Sequence, residues 1–209
     1  MTFYGVLYKL FAWFFRWIFR VQVKGEENIP SDGAVMVCTN HISAFDPFII
    51  IVSNTRQIFF MGKKELFKIP VLKQILKGVG VFPVERGAND VGAIKQAIKL
   101  LESGKIFGIF PQGTRHSGED PHKTQIKSGV GLIEEKTGAP VLPCCIITKD
   151  NRIKPFRPVT IVYGEVVEPS EFSDILNDET LKSKEKHKKI SETVFNKILE
   201  LIDGEANER

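Results

Sequence analysis

The chain is poor in the residues that build metal centres and disulfide frameworks. Its three cysteines, Cys38, Cys144 and Cys145, show neither CxxC nor zinc-ligand spacing, and a small, odd number of thiols argues against a disulfide scaffold. A reducing compartment is the simplest setting. Of four histidines, none pairs with His41 at ligand spacing, and His116 and His122 fall in a polar loop with Glu119 and Asp120, so no metal is expected. C2H2, RRM and helix-turn-helix signatures are missing, and a net charge of +4 is too mild to indicate nucleic acid by itself. There is no GxSxG elbow, and Cys38 lies inside an apparent strand, where thiols are usually buried. Internal repeats are lacking. The basic run LKSKEKHKK, residues 181–189, reads as a solvated helix face, with lipid-headgroup contact as the alternative. What remains is ordinary globular material: 209 residues, 43% hydrophobic and 26% charged, enough for one domain with a substantial core. Anionic membrane surfaces and phosphorylated substrates suit the mild positive charge.

An uninterrupted apolar run long enough to span a bilayer, about 20 residues, is also missing. The nearest approach is MTFYGVLYKLFAWFFRWIFR at the start, whose apolar stretch is broken by Lys9 and Arg16. At 100° per residue Thr2, Gly5, Lys9, Ala12 and Arg16 share one side of a helix. The segment lacks the charged start and small-residue cleavage site of a signal peptide. Its Tyr4, Tyr8, Trp13 and Trp17 suit the headgroup layer. Residues 1–20 therefore read as an interfacial membrane helix. The competing reading is a hydrophobic helix packed on its own domain.

From residue 21 onward short apolar runs alternate with amphipathic ones. VQVKG (21–25), AVMVCT (34–39), QIFFMG (57–62), GVFPV (80–84), KIFGIF (105–110), PVLPCCII (140–147) and VTIVYG (159–164) read as strands. Segments 47–54, 63–78, 88–104 and 125–138 carry helical spacing or caps, with Asn89 or Asp90 and Gly104, and later Gly138, as end signals. A last helix over roughly 179–203 presents Val194, Ile198, Leu201 and Ile202 on one side. The pattern predicts a single α/β domain over residues 21–209, a mixed, largely parallel sheet flanked by helices. Functional residues then belong in loops at the carboxyl edge of the sheet.

Three such loops stand out. NHISAFDP (40–47) clusters Asn40, His41, Ser43 and Asp46 between two apolar runs. Pro47 suits the first position of a helix, and Asp46 reads as its N-cap. The same carboxylate can also hold one imidazole nitrogen of His41 and leave the other as a general base. ERG (85–87) places Arg86 at a strand exit, and IFPQGTR (109–115) places Gln112, Gly113, Thr114 and Arg115 at another. Backbone amides with guanidinium groups suit a phosphate. Lys127 is a possible third cation, although a solvated helix start explains it more simply.

These stretches resemble the glycerolipid acyltransferases. NHISAFD matches the NHxxxxD motif, VFPVERG the second block, FPQGTR the FPEGTR block, and APVLPCCI the fourth, in the family's order over residues 40–147. The nearest likeness is to bacterial 1-acyl-sn-glycerol-3-phosphate acyltransferases. The resemblance implies transfer of a fatty acyl group from acyl-CoA or acyl carrier protein to lysophosphatidic acid, giving phosphatidic acid, at the cytoplasmic face of the cell membrane and without a cofactor. It implies His41 as general base, Asp46 as its orienting partner, and Arg86, Gln112, Gly113, Thr114 and Arg115 around the acceptor. Gln112 stands where the family usually has glutamate, and keeps the size and one acceptor oxygen without the charge. Other readings are glycerol-3-phosphate or another lysophospholipid as acceptor, a thioesterase, or a lipid-binding protein with weak catalysis.

Overall fold

Seven apolar runs become the seven strands of one sheet, ordered β1-β7-β6-β2-β5-β3-β4. The computed structural model describes residues 3–54, 56–84 and 91–207; Arg86, Asn89 and Asp90, and the side chains of Tyr4, Tyr8 and Lys9, lie outside what it describes. In chain order the elements are α1 (Phe3–Ile18), β1 (Val21–Lys24), β2 (Val35–Thr39), α2 (Asp46–Ser53), β3 (Ile58–Lys63), α3 (Pro70–Gly78) and β4 (Val81–Val84). There follow α4 (Val91–Glu102), β5 (Ile106–Ile109), α5 (Gly129–Thr137), β6 (Val141–Ile147), β7 (Val159–Tyr163), α6 (Ser173–Asn177) and α7 (Ser183–Asn207). Strands β6, β2, β5, β3 and β4 run parallel, and β7 pairs antiparallel with β6 and parallel with β1. The expected mixed, largely parallel α/β architecture is present.

The sequence of β2, VMVCT, explains its central place. Every side chain in it is buried, as a parallel strand covered on both faces requires. Val35 and Val37 join the core beneath α1, α2 and α3, while Met36 and Cys38 join the core beneath α4, α5 and α7, the period-two alternation of a strand. Gly108 in β5 makes room for its neighbour on β3: a Cβ there would lie 2.2 Å from the Phe60 ring. The end signal expected at Gly138 is present. Gly138 caps α5 with a left-handed φ of 55° and donates its amide to the Glu134 carbonyl at 2.8 Å.

Two expectations shift. Segment 63–78 is not one helix: a 3-10 turn over Lys64–Lys68 precedes α3, which starts at Pro70. Proline brings no N–H and pushes the preceding residue into an extended conformation, and Ile69 has φ −86° and ψ 114°. The last helix starts at Ser183 rather than near 179, because Asp178 folds its carboxylate onto the Thr180 amide at 2.9 Å in a turn.

Helix α1 divides its faces differently from the simple wheel. Phe11, Phe15 and Ile18 pack on the core, with the Phe11 and Phe15 rings 6.0 and 5.8 Å from Phe48 of α2. Trp13, Phe14 and Trp17 are exposed. The helix is thus both packed and aromatic on its outer side. Among the described residues no helix is long and apolar enough to cross a membrane.

Candidate active site

Parallel pairing of β2 with β5 in the register Cys38↔Ile109 sets the ends of these strands side by side, and the loops that leave them meet at the carboxyl edge. Asn40 fastens the first loop. Its side chain donates to the Ile146 carbonyl at 2.9 Å and accepts from the Ile146 amide at 2.7 Å, so it extends the sheet hydrogen bonding from β2 to β6 by one residue. That is why an asparagine precedes His41.

His41 is held on several sides. Its Nδ1 lies 2.7 Å from Asp46 Oδ2, and its ring stacks on Phe110 with centroids 3.9 Å apart and planes 16° off parallel. The His41 amide donates to Gln112 Oε1 at 2.7 Å, and its carbonyl accepts from the His116 amide at 2.8 Å. The residue is 7% exposed. With Nδ1 engaged by a carboxylate, Nε2 is the ring nitrogen left over.

Asp46 departs from the N-cap reading. It is the first residue of α2, with Phe45 in the cap position. Its carboxylate turns back instead of forward: Oδ2 accepts from the Ile42 and Ser43 amides at 2.7 and 2.8 Å as well as facing His41. The geometry that would satisfy the helix amides is given up to close the His41 loop. Oδ1 is buried without a hydrogen-bond partner. Burial pushes the Asp46 carboxyl above the usual carboxylate range, against the pull of His41 and of the Ser43 and Ile42 amides.

The remaining predicted residues separate into two groups. Gln112 is buried, and both ends of its amide are taken, since Nε2 donates to Thr124 Oγ1 at 2.7 Å. It bridges the His41 loop to the segment that leads into α5. A glutamate could accept from the His41 amide in the same way, but would need the Thr124 hydroxyl to turn from the Pro121 carbonyl it now serves at 2.8 Å. Gly113, Thr114 and Arg115 are exposed. Gly113 takes φ 69°, and a Cβ there would come within 2.9 Å of Lys127 Cγ, so the glycine lets Lys127 pass close over the loop.

A cavity of about 150 Å³ opens beside these groups. Its walls include Phe60, Met61, Ile109, Phe110 and Val130, with His41, Gly113 and Lys127 at its polar side. Lys127 is therefore at the site, where sequence reasoning favours a solvated helix start. Phe110 was legible only as the end of a strand. The three thiols are elsewhere: all are buried, burial pushes Cys38 well up, and the Cys145 thiol is pushed up to about 12. None is a ready nucleophile.

A sequence profile described as "Acyltransferase" matches residues 20–147, more than half of the chain. The chain belongs to the acyltransferase family. This acyltransferase is similar to the 1-acyl-sn-glycerol-3-phosphate acyltransferase of Bacillus subtilis (strain 168), with 32% identity over 184 residues that cover 87% of each chain. A protein of the same name from Borreliella burgdorferi is 34% identical over 134 residues, 63% of this chain and 53% of that one. Among solved structures, the 1-acyl-sn-glycerophosphate (LPA) acyltransferase PlsC from Thermotoga maritima superposes with a TM-score of 0.68 at 29% identity, covering 95% of this chain and 79% of its own. The family and these relatives make the protein an O-acyltransferase of phospholipid biosynthesis.

Proposed function

We propose that this acyltransferase moves a fatty acyl group from acyl-CoA or acyl carrier protein to the free hydroxyl of 1-acyl-sn-glycerol-3-phosphate, giving phosphatidic acid. The observation that carries the reading is the 2.7 Å contact between His41 Nδ1 and Asp46 Oδ2 at the mouth of an apolar cavity. Asp46 fixes the tautomer with hydrogen on Nδ1, so Nε2 holds a lone pair toward the cavity. Nε2 takes the proton of the acceptor hydroxyl as its oxygen bonds to the thioester carbonyl carbon. The tetrahedral adduct collapses by breaking the carbon–sulfur bond, and the imidazolium returns its proton to the departing thiolate. An activated thioester removes the need for a covalent enzyme intermediate, and placing hydroxyl, base and carbonyl together supplies much of the remaining acceleration.

The acceptor phosphate is assigned to the cations around the Gly113 turn. Arg115 and Lys127 flank it, Thr114 adds a hydroxyl, and Arg86 joins them by the family pattern. Gln112 serves this site by holding the His41 loop. The apolar walls of the cavity suit an acyl chain. The helix within residues 1–20 is the membrane anchor and residues 21–209 the catalytic unit, working at the cytoplasmic face of the cell membrane, where lysophosphatidic acid resides in the bilayer.

Arg115→Ala and Lys127→Ala test the acceptor assignment. Each should raise the KM for lysophosphatidic acid by about 10- to 100-fold, the equivalent of about 1.5–3 kcal/mol for a charge-assisted bond, while the KM for the acyl donor changes little. Equal increases for donor and acceptor would assign these cations to the donor or to the fold.

A further inference from the structure

Large exposed hydrophobic side chains gather in two places. One is the outer side of α1, where Trp13, Phe14 and Trp17 are exposed and Phe156 meets the Trp17 ring at 5.7 Å. The other is remote in sequence: Leu66, Ile69, Val71 and Ile75, with Val71 72% exposed. A scattered exposed aliphatic needs no explanation, but four within the stretch 66–75 do.

Both patches stand on the same side of the sheet. Phe11, Phe15 and Ile18 of α1 share one core with Phe67, Leu72 and Leu76 of the 3-10 turn and α3. Helix α1 packs on α2 and reaches β1, and α3 packs on β4; β1 and β4 are the two edge strands, so the patches are set apart along the sheet. The buried helix α2, whose first residue is Asp46, lies on this same side, and its inward residues belong to the same core.

The charge around the second patch is one-sided. Residues 63–78 hold five lysines and a single acid, Glu65. In α3 the residues pointing inward are Leu72 and Leu76. At 100° per residue, Val71 and Ile75 form one flank of the outward face and Lys73 and Lys77 the other. A helix laid on a bilayer with that face down dips its aliphatic flank among the acyl chains. Its lysines remain at the level of the headgroups.

We propose that the Lys64–Lys68 turn and α3 form a second membrane contact, which together with α1 seats the enzyme on an anionic bilayer in one orientation. The inference rests on the reading that the acceptor is taken from a bilayer through α1. A single amphipathic helix is a pivot. A second contact at the opposite sheet edge removes the rocking freedom and keeps the carboxyl edge at a constant height above the surface from which acceptor enters.

The test uses full-length protein and vesicles of phosphatidylcholine with or without phosphatidylglycerol. Val71→Ser combined with Ile75→Ser should weaken vesicle binding by about tenfold, with unchanged turnover on detergent-dispersed acceptor. Lys73→Gln combined with Lys77→Gln should weaken binding severalfold on vesicles containing phosphatidylglycerol and have little effect on neutral ones. Trp13→Ser with Trp17→Ser examines α1 separately. If the tryptophan pair abolishes binding while both α3 pairs bind as the parent does, the second contact is refuted and the α1 reading stands. If the parent protein itself fails to bind vesicles, the α1 reading falls and the second contact with it. Normal vesicle binding with a raised KM for acyl carrier protein would assign the patch to a protein donor and overturn the membrane proposal. Should the serine pair lower the melting temperature, Val71→Cys carrying an environment-sensitive fluorophore replaces it. Its emission should rise and shift to the blue on anionic vesicles, and an unchanged spectrum refutes the contact.

Discussion

His41→Ala should lower acyl transfer by about 10²–10⁴ while the protein stays folded. The change removes the group assigned to take the hydroxyl proton, and it empties the place against Phe110 that the imidazole now fills at 3.9 Å. The fold does not depend on that ring. Asp46 keeps the Ile42 and Ser43 amides, and the His41 amide bond to Gln112 is a backbone contact that alanine retains. Circular dichroism and melting should show a native protein, with a stability loss of about 1–3 kcal/mol for the missing buried contact. Turnover near the parent value would remove His41 from the chemistry.

Asp46→Asn should be nearly as damaging to rate and far milder to stability. An asparagine oxygen can still accept from the Ile42 and Ser43 amides. At the place of Oδ2 that oxygen also meets Nδ1–H, so the tautomer is kept. What is lost is the charge that stabilises the imidazolium formed as the hydroxyl proton is taken, a rate loss of roughly 10²–10⁴. The melting temperature should hardly fall, because burial already disfavours the charge and Oδ1 is unpartnered. If the variant instead unfolds easily yet keeps normal specific activity, the carboxylate serves the loop and not the histidine.

The strands were legible in the sequence because each is a short apolar run bounded by glycine, proline or polar residues, and burial on both faces leaves little else for VMVCT or VLPCCII to be. Their order was not. Nothing local tells β5 to lie between β2 and β3, a matter of which faces and crossovers close the core. The same limit governs the site. NHISAFD announced His41 and Asp46 as a pair, since both belong to one loop and one helix start. Phe110 and Gln112 reach His41, and Lys127 lines the same cavity, only because β2 and β5 are neighbours, so their roles are products of tertiary register. Asp46 shows a second cause. Propensity for the cap position is about 1 kcal/mol, too little to compete with two loop amides and an imidazole for the same oxygen. Helix α1 shows a third: periodicity located its polar line, but it took the packing of Phe15 against Phe48 to decide which aromatics are left outside.

The central claim is that acyl transfer is direct, from a thioester to a phosphate-bearing lysolipid. The measurement that tests it counts free thiol released from acyl-CoA, or from acyl carrier protein, against phosphatidic acid formed by the full-length protein, with lysophosphatidic acid present and withheld. The account predicts one thiol per phosphatidic acid with acceptor, and no thiol above background without it. Thiol released at the same rate without acceptor would make the protein a thioesterase and contradict the account.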